Sequence, residues 1–212
     1  MALSTERRWM LKDLDFSRLA CSFSAGQGGM GFLFHYTGNS DYQETAMAMS
    51  YGKNLGRISL GIQFRYDQDH IPGYSTRSDG SAMLGILFHP VEKIYAGMAF
   101  STSLFANTAY INPEKYAGNY DMGLGYEVSP MVFLSVQLEK EAGLPMNLTG
   151  CLDYRWSEQF YASAGVSSIS GSPFIKAGWK KNQLTIEIFT AYHLVLGFTP
   201  GIVFFWERKN KS

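Results

Sequence analysis

The chain is poor in charge, in cysteine and in long apolar runs, and each shortage closes off a class of protein. Only 17% of its 212 residues are Asp, Glu, Lys or Arg, and 18 basic side chains balance 18 acidic ones to a formal charge of zero. Without a basic excess there is no bulk field for a polyanion, so nucleic acid is not an expected partner. Two cysteines, Cys21 and Cys151, are too few for a disulfide framework and lack the C-x-x-C spacing of zinc or redox motifs. No run suits a membrane-spanning helix, which takes about 20 predominantly apolar residues. Residues 94–113 are uncharged but include Ser101, Thr102, Ser103, Asn107, Thr108 and Asn112. Residues 188–206 are uncharged but interrupted by Thr199-Pro200-Gly201, where proline removes a donor and glycine weakens a helix. The first fifteen residues, MALSTERRWMLKDLD, place charges where an export signal has its apolar core, so no signal peptide is expected there.

Aromatic residues are abundant at 15%, and glycine fills 22 positions. Above all, apolar residues alternate with polar ones. Ile58, Leu60, Ile62, Phe64 and Tyr66 interleave with Ser59, Gly61, Gln63, Arg65 and Asp67, a period of two that a pleated strand separates onto opposite faces. The same alternation sets Val132, Leu134, Val136 and Leu138 against Ser135, Gln137 and Glu139, and Leu184, Ile186 and Ile188 against Thr185 and Glu187. Reading every such run predicts about fourteen strands, near residues 3–11, 17–25, 29–37, 44–53, 57–67, 81–89, 94–102, 119–128, 131–140, 146–156, 159–168, 173–181, 184–192 and 200–208. Tight turns alternate with longer connections, of which 68–80 and 103–118 are the longest.

A soluble sandwich or eight-stranded barrel would show the same alternation with its apolar set inside. Fourteen strands, however, enclose a lumen too wide for a dry core, so the polar face belongs inside and the apolar face in lipid. The expected fold is all-β: a transmembrane antiparallel up-and-down β-barrel of about fourteen strands, one domain over residues 1–212, in the bacterial outer membrane and in contact with its lipid. Ile58, Leu60, Ile62, Phe64, Val132, Leu134, Val136, Leu148, Leu152, Ile186 and Ile188 are then expected to face lipid. The expected lumen set is Arg18, Gln63, Arg65, Asp67, Asp121, Glu127, Gln137, Glu139, Asp153, Arg155, Lys176, Lys180 and Glu187. Ion pairs of Arg65 with Asp67, Asp153 with Arg155, and Glu187 with Lys176 or Lys180 are expected to narrow that lumen. Gly61, Gly85, Gly97, Gly123, Gly125, Gly165 and Gly178 also phase inward, and Cys21 points outward while Cys151 points inward, so both should stay free.

Motifs that carry chemistry are weak. Residues 26–31 match G-x-G-x-x-G, but a strand pattern follows where a nucleotide site needs a helix. His35, His70, His89 and His193 show neither triad nor H-E-x-x-H spacing; His35 and His89 phase inward, and the other two fall at the loop rim. No catalytic residue, cofactor or metal ligand is expected. The loop 103–118 holds Leu104, Phe105, Tyr110, Ile111 and Tyr116, an apolar cluster of the kind that marks an interaction surface.

Three segments carry a family resemblance: Glu6-Arg7-Arg8-Trp9-Met10-Leu11-Lys12, His89-Pro90-Val91-Glu92-Lys93 with the following Ile94-Tyr95-Ala96-Gly97, and Tyr192-His193-Leu194-Val195-Leu196-Gly197-Phe198-Thr199-Pro200. On these the chain resembles PorV/FadL-like outer-membrane proteins, especially the type IX secretion branch. The resemblance implies a fourteen-stranded barrel. Its FadL-like members carry hydrophobic compounds inward, and its PorV-like members escort secreted proteins. Such proteins normally have a signal peptide and an N-terminal hatch, whereas this chain opens on what reads as its first strand. With so polar an inward set, the leading expectation is a non-enzymatic subunit that docks a secreted cargo or a larger outer-membrane complex through its extracellular loops. A FadL-like transporter comes second and an outer-membrane hydrolase last.

Overall fold

The computed structural model describes residues 1–11, 15–39, 42–73, 76–107, 118–169 and 171–207. Fourteen strands run in chain order: β1 (Ala2–Arg7), β2 (Asp15–Ala25), β3 (Gly28–Gly38), β4 (Gln43–Asn54), β5 (Ile58–His70), β6 (Arg77–Val91), β7 (Ile94–Asn107), β8 (Asn119–Ser129), β9 (Val132–Lys140), β10 (Asn147–Arg155), β11 (Phe160–Ser167), β12 (Pro173–Lys181), β13 (Leu184–His193) and β14 (Gly197–Trp206). Each pairs antiparallel with the next, and β1 pairs with β14, so the sheet closes into an up-and-down barrel. Closure satisfies the backbone donors and acceptors that an open edge would leave bare in hydrocarbon.

Alternation sets the two faces. Leu60, Phe64, Leu134, Val136, Leu148, Leu152 and Ile188 are exposed on the outside, as are Ile58 and Ile62, while Val132 and Ile186 are half-buried there. Among the described residues the buried apolar side chains are only Phe16, Ala46 and Ala48, whereas the buried polar ones are His35, Thr37, Ser163, Thr185 and Glu187. An apolar outside around a polar inside is the inverse of a soluble barrel and the arrangement of an outer-membrane one. The protein is therefore an outer-membrane barrel.

Short connections at 26–27, 55–57, 92–93, 130–131, 156–159 and 182–183 define one rim, and those at 8–14, 39–42, 71–76, 108–118, 141–146, 168–172 and 194–196 the other. In outer-membrane barrels the short-turn rim is periplasmic.

Three expectations about that second rim are corrected. The first strand stops at Arg7 instead of reaching residue 11, because Arg8–Met10 wind into a 3-10 turn in which Trp9 (φ 52°) and Met10 (φ 61°) enter the left-handed region. The expected loop 68–80 is mostly strand, since β5 runs to His70 and β6 starts at Arg77. The expected loop 103–118 likewise loses its first part to β7. Ser81 pairs with Ser103 but Gly80 pairs with Phe105, a bulge that leaves Leu104 unpaired. Two residues of the bulged strand then oppose one on its partner. Leu104 and Phe105 are accordingly 56% and 52% exposed, and the Phe105 ring packs over Gly80, whose register partner Tyr66 is on the outer face. Both are part of the apolar wall, not a loop tip.

Candidate functional site

Cα partners in an antiparallel ladder point to the same side of the sheet, so register lines trace which residues share the lumen. Arg18 lies opposite His35. Gln63, Arg65 and Asp67 lie opposite Ser50, Ala48 and Ala46 on one side and Met83, Ser81 and Asp79 on the other. Further round, one line runs through Glu127, Phe133, Asp153, Ser163 and Lys176, and the next through Arg155, Tyr161, Gly178 and Glu187. Asp121 faces Glu139, Gln137 faces Gly123, and Lys180 faces Thr185. All thirteen polar residues expected in the lumen thus share the face opposite the exposed apolar set.

They gather in separate groups. Near the long-loop mouth a cavity of about 780 Å³ is lined by Gln63, Arg65, Asp67, Asp79, Asp121 and Glu139, with Lys140 and Glu141. Arg65 grips Asp67 through Nε and Nη2, at 2.8 and 2.6 Å, and Arg77 stands 3.7 Å from Asp79. Gln137 and Asn147 donate to the two Glu139 oxygens at 2.8 and 2.9 Å. Lys140 donates to the Leu144 carbonyl. Asp121, Glu139 and Glu141 therefore line the mouth without a cation bridged to them among the described residues, and like charges directly opposite, as Asp121 and Glu139 are, repel. In the 39–42 connection, burial, then Asp69 and Glu44, push the Tyr42 phenol above its ordinary value.

A second group sits on β11–β13. Tyr161 donates its hydroxyl to Glu187, which is 9% exposed, and Lys176 stands 4.0 Å from the same carboxylate. Asp153 accepts from Ser163 instead of pairing with Arg155 as expected. Lys180 reaches Glu207 at 3.1 Å instead of Glu187, because the register sets it against Thr185. The third group is basic: the guanidinium carbons of Arg8 and Arg18 each lie 4.9 Å from the Phe16 ring centre, and Phe16 packs on His35 at 4.2 Å.

Asp79, Glu141, Tyr161 and Arg8 line or support these groups and were not among the expected site residues. Asp79 was hidden in a stretch read as loop. Tyr161 was detectable from its inward phase in the run Phe160–Ser167. Of the expected docking cluster, Leu104 and Phe105 lie on the outer wall, and Tyr110, Ile111 and Tyr116 fall outside the described residues. His70 and His193 are at the rim: His70 Nδ1 is 3.0 Å from Thr76 Oγ1, and His193 Nδ1 accepts from the Val195 and Leu196 amides.

No family model matches the chain, and no curated protein matches its sequence. Solved structures do match in shape. The KdgM porin superposes with a TM-score of 0.54 at 10% identity, over 99% of this chain and 100% of that one. The CymD monoaromatic hydrocarbon channel does so with a TM-score of 0.65 at 9% identity, over 100% and 88%. A mutant of the Rh. blastica porin gives 0.50 at 10% identity, over 96% of each chain. Identities this low speak to the fold alone, a closed outer-membrane barrel.

Proposed function

We propose that the protein is a passive outer-membrane channel for small polar solutes, with a preference for cations at its long-loop mouth. The observation that carries this reading is the 780 Å³ cavity walled by Asp67, Asp79, Asp121, Glu139 and Glu141 against only Arg65 and Lys140. The inward ion pairs do not cross the lumen: at the mouth Arg65 with Asp67 and Arg77 with Asp79 lie within single strands, and on the β11–β13 side Lys176 with Glu187 joins neighbours. They line the wall, and on this reading they narrow the lumen, as the sequence leads one to expect, without closing it. Nothing in this reading calls for catalysis. Unneutralised carboxylates in a confined, partly dehydrated passage favour cations over anions.

The test is the reversal potential of the purified protein in planar bilayers under a potassium chloride gradient. The expected sign is cation-selective, weakened when Asp121→Asn, Glu139→Gln and Glu141→Gln are combined. Absence of conductance, or anion selectivity, would sink the proposal.

A docking role, the reading that the PorV-like resemblance favours, retains one specific support. Leu194, Val195 and Leu196, in the connection between β13 and β14, are 71%, 85% and 46% exposed at the long-loop rim. Recovery of a stable complex from outer membranes, lost on Leu194→Ser with Val195→Ser, would favour it. A FadL-like carrier of hydrophobic compounds would need an apolar path inside. The strongly apolar cavity of about 590 Å³ is instead formed mostly by outward residues such as Phe32, Phe34, Met47, Met49 and Phe64.

A further inference from the structure

A separate cavity of about 480 Å³ lies at the short-turn end of β7–β11, lined by Tyr95, Glu127, Phe133, Asp153, Arg155 and Tyr161 among others. Its size is that of a small-molecule site. Its floor is aromatic because the neighbouring strands carry glycine. A Cβ at Gly125 would come within 2.4 Å of the Phe133 ring, and one at Gly178 within 2.1 Å of the Tyr161 ring. Both rings can therefore lie against the wall. Tyr95 meets Phe133 nearly perpendicular, with ring centres 5.6 Å apart, and forms a side.

Charge is placed around this floor in a definite order. Glu127 and Asp153 are the register partners of Phe133 on either side, each about 4.8 Å away across the ladder. Arg155 lies one inward position further along β10, beside Tyr161. Asp153 accepts from Ser163. The side chains of Glu127 and Arg155 make no hydrogen bond or ion pair among the described residues.

An aromatic residue whose register neighbours on both sides are carboxylates suits an ammonium group, attracted by the ring quadrupole and by both charges. A free guanidinium a few ångströms on suits a carboxylate, which it can hold bidentately. We infer that this cavity binds a small zwitterion with a planar apolar body: its ammonium over Phe133 between Glu127 and Asp153, its carboxylate on Arg155, and its body against Tyr161. The inference deepens the channel reading, on which it rests for the route by which a solute reaches the cavity.

The test uses the full chain folded in detergent, where binding is read without conduction. Isothermal titration compares L-phenylalanine, which carries both charges, with phenethylamine, which keeps only the ammonium, and phenylacetate, which keeps only the carboxylate. L-Phenylalanine is expected to bind about tenfold more tightly than either, the scale of one charge-assisted hydrogen bond. Arg155→Gln should bring L-phenylalanine to the level of phenethylamine and leave phenethylamine unchanged. Glu127→Gln should weaken both by about tenfold. Heat-modifiable migration on gels checks that each variant is folded. Absence of L-phenylalanine binding, equal binding of phenylacetate, or indifference to both substitutions would overturn the inference. Binding by a protein that conducts nothing in bilayers would leave this site standing and remove the channel reading; conductance without binding would do the reverse.

Discussion

Glycine lines the inside of the barrel on both sides, but its surroundings differ from one half to the other. On β3–β6 the register partners Gly29, Gly52, Gly61 and Gly85 form one continuous row. A Cβ at Gly61 would meet nothing closer than the Tyr51 carbonyl oxygen at 3.7 Å, and at Gly85 nothing closer than 3.9 Å. On β8–β14 the inward glycines Gly125, Gly165, Gly178 and Gly201 lie beneath the rings of Phe133, Phe174, Tyr161 and Phe189, at 2.1 to 2.4 Å from the Cβ they lack, while Gly123 and Gly197 meet no ring. In the first half glycine keeps the wall smooth and the lumen wide. In the second it is a seat for an aromatic ring, which recovers the packing that a bare glycine strand forgoes. The same residue therefore enlarges the space on one side and gives the other an aromatic lining.

The halves should differ only on the inside, and the largest expected effect tests that limit. Leu60 and Leu134, one from each half, are 47% and 41% exposed on the outer face. Leu60→Arg and Leu134→Arg should each cost about 2 to 4 kcal/mol near mid-membrane, read as a shift of the urea midpoint for folding into vesicles. Unequal costs would mean that the outer faces differ too, while Gln137→Arg, on the inner face, should cost far less. Next in size comes glycine itself. Gly178→Val must displace the Tyr161 ring and should cost about 1 to 3 kcal/mol, whereas Gly61→Val makes only ordinary contacts with the wall and gains strand preference, so its stability should stay within about 1 kcal/mol of the parent. Similar losses at both positions would erase the distinction between the halves. Smaller again is the polar contribution. Tyr161→Phe takes the hydroxyl from Glu187 and should cost about 1 to 2 kcal/mol, as loss of a hydrogen bond to a charged group does. Arg65→Gln, in the open half, breaks a pair whose side chains are 36% and 24% exposed and should cost about 1 kcal/mol or less.

Strand number, inward phase and the polar inner set were legible in the sequence because one residue in two must face lipid. That rule holds only through the membrane thickness. Above it, at Gln68, Asp69, His70, Arg77, Ser78 and Asp79, both faces of β5 and β6 meet water, the alternation disappears, and strand reads as loop. The bulge at Leu104 had no local signal either, since it depends on which residue of β6 lies opposite. Pairing partners were legible in part along one strand and not between strands. Asp153 and Arg155, at i and i+2, were expected to pair and do not. Arg65 with Asp67 lies at i and i+2 and was foreseen, but the choice between Lys176 and Lys180 for Glu187 depends on the β12–β13 register. Tyr161 took the central place beside Glu187 because Gly178 made room for its ring, a relation between strands that a single run of residues does not carry.

The last comparison sets the outer wall against the inner one, with no stability change expected. Cys21 is exposed on the outer face of β2, between Leu19 and Phe23, opposite Phe32. Cys151 is half-buried on the inner face of β10, its sulfur 4.0 Å from an Asp153 oxygen. A disulfide needs Cα atoms within about 7 Å, and β2 and β10 are separated by several strands in either direction round the barrel, so both thiols are free. In lipid vesicles hydrocarbon covers Cys21, while Cys151 opens on water only if the lumen is continuous from a mouth to β10. A small charged thiol reagent added to the folded protein should therefore label Cys151 alone, and label both after unfolding in urea, with mass spectrometry of peptides locating the adduct. Labelling of Cys21 in intact vesicles would place the outer wall of β2 against water and break the assignment of faces. No label before unfolding would show that the wide side of the lumen does not reach β10, and would turn the lined half from the wall of a passage into its plug.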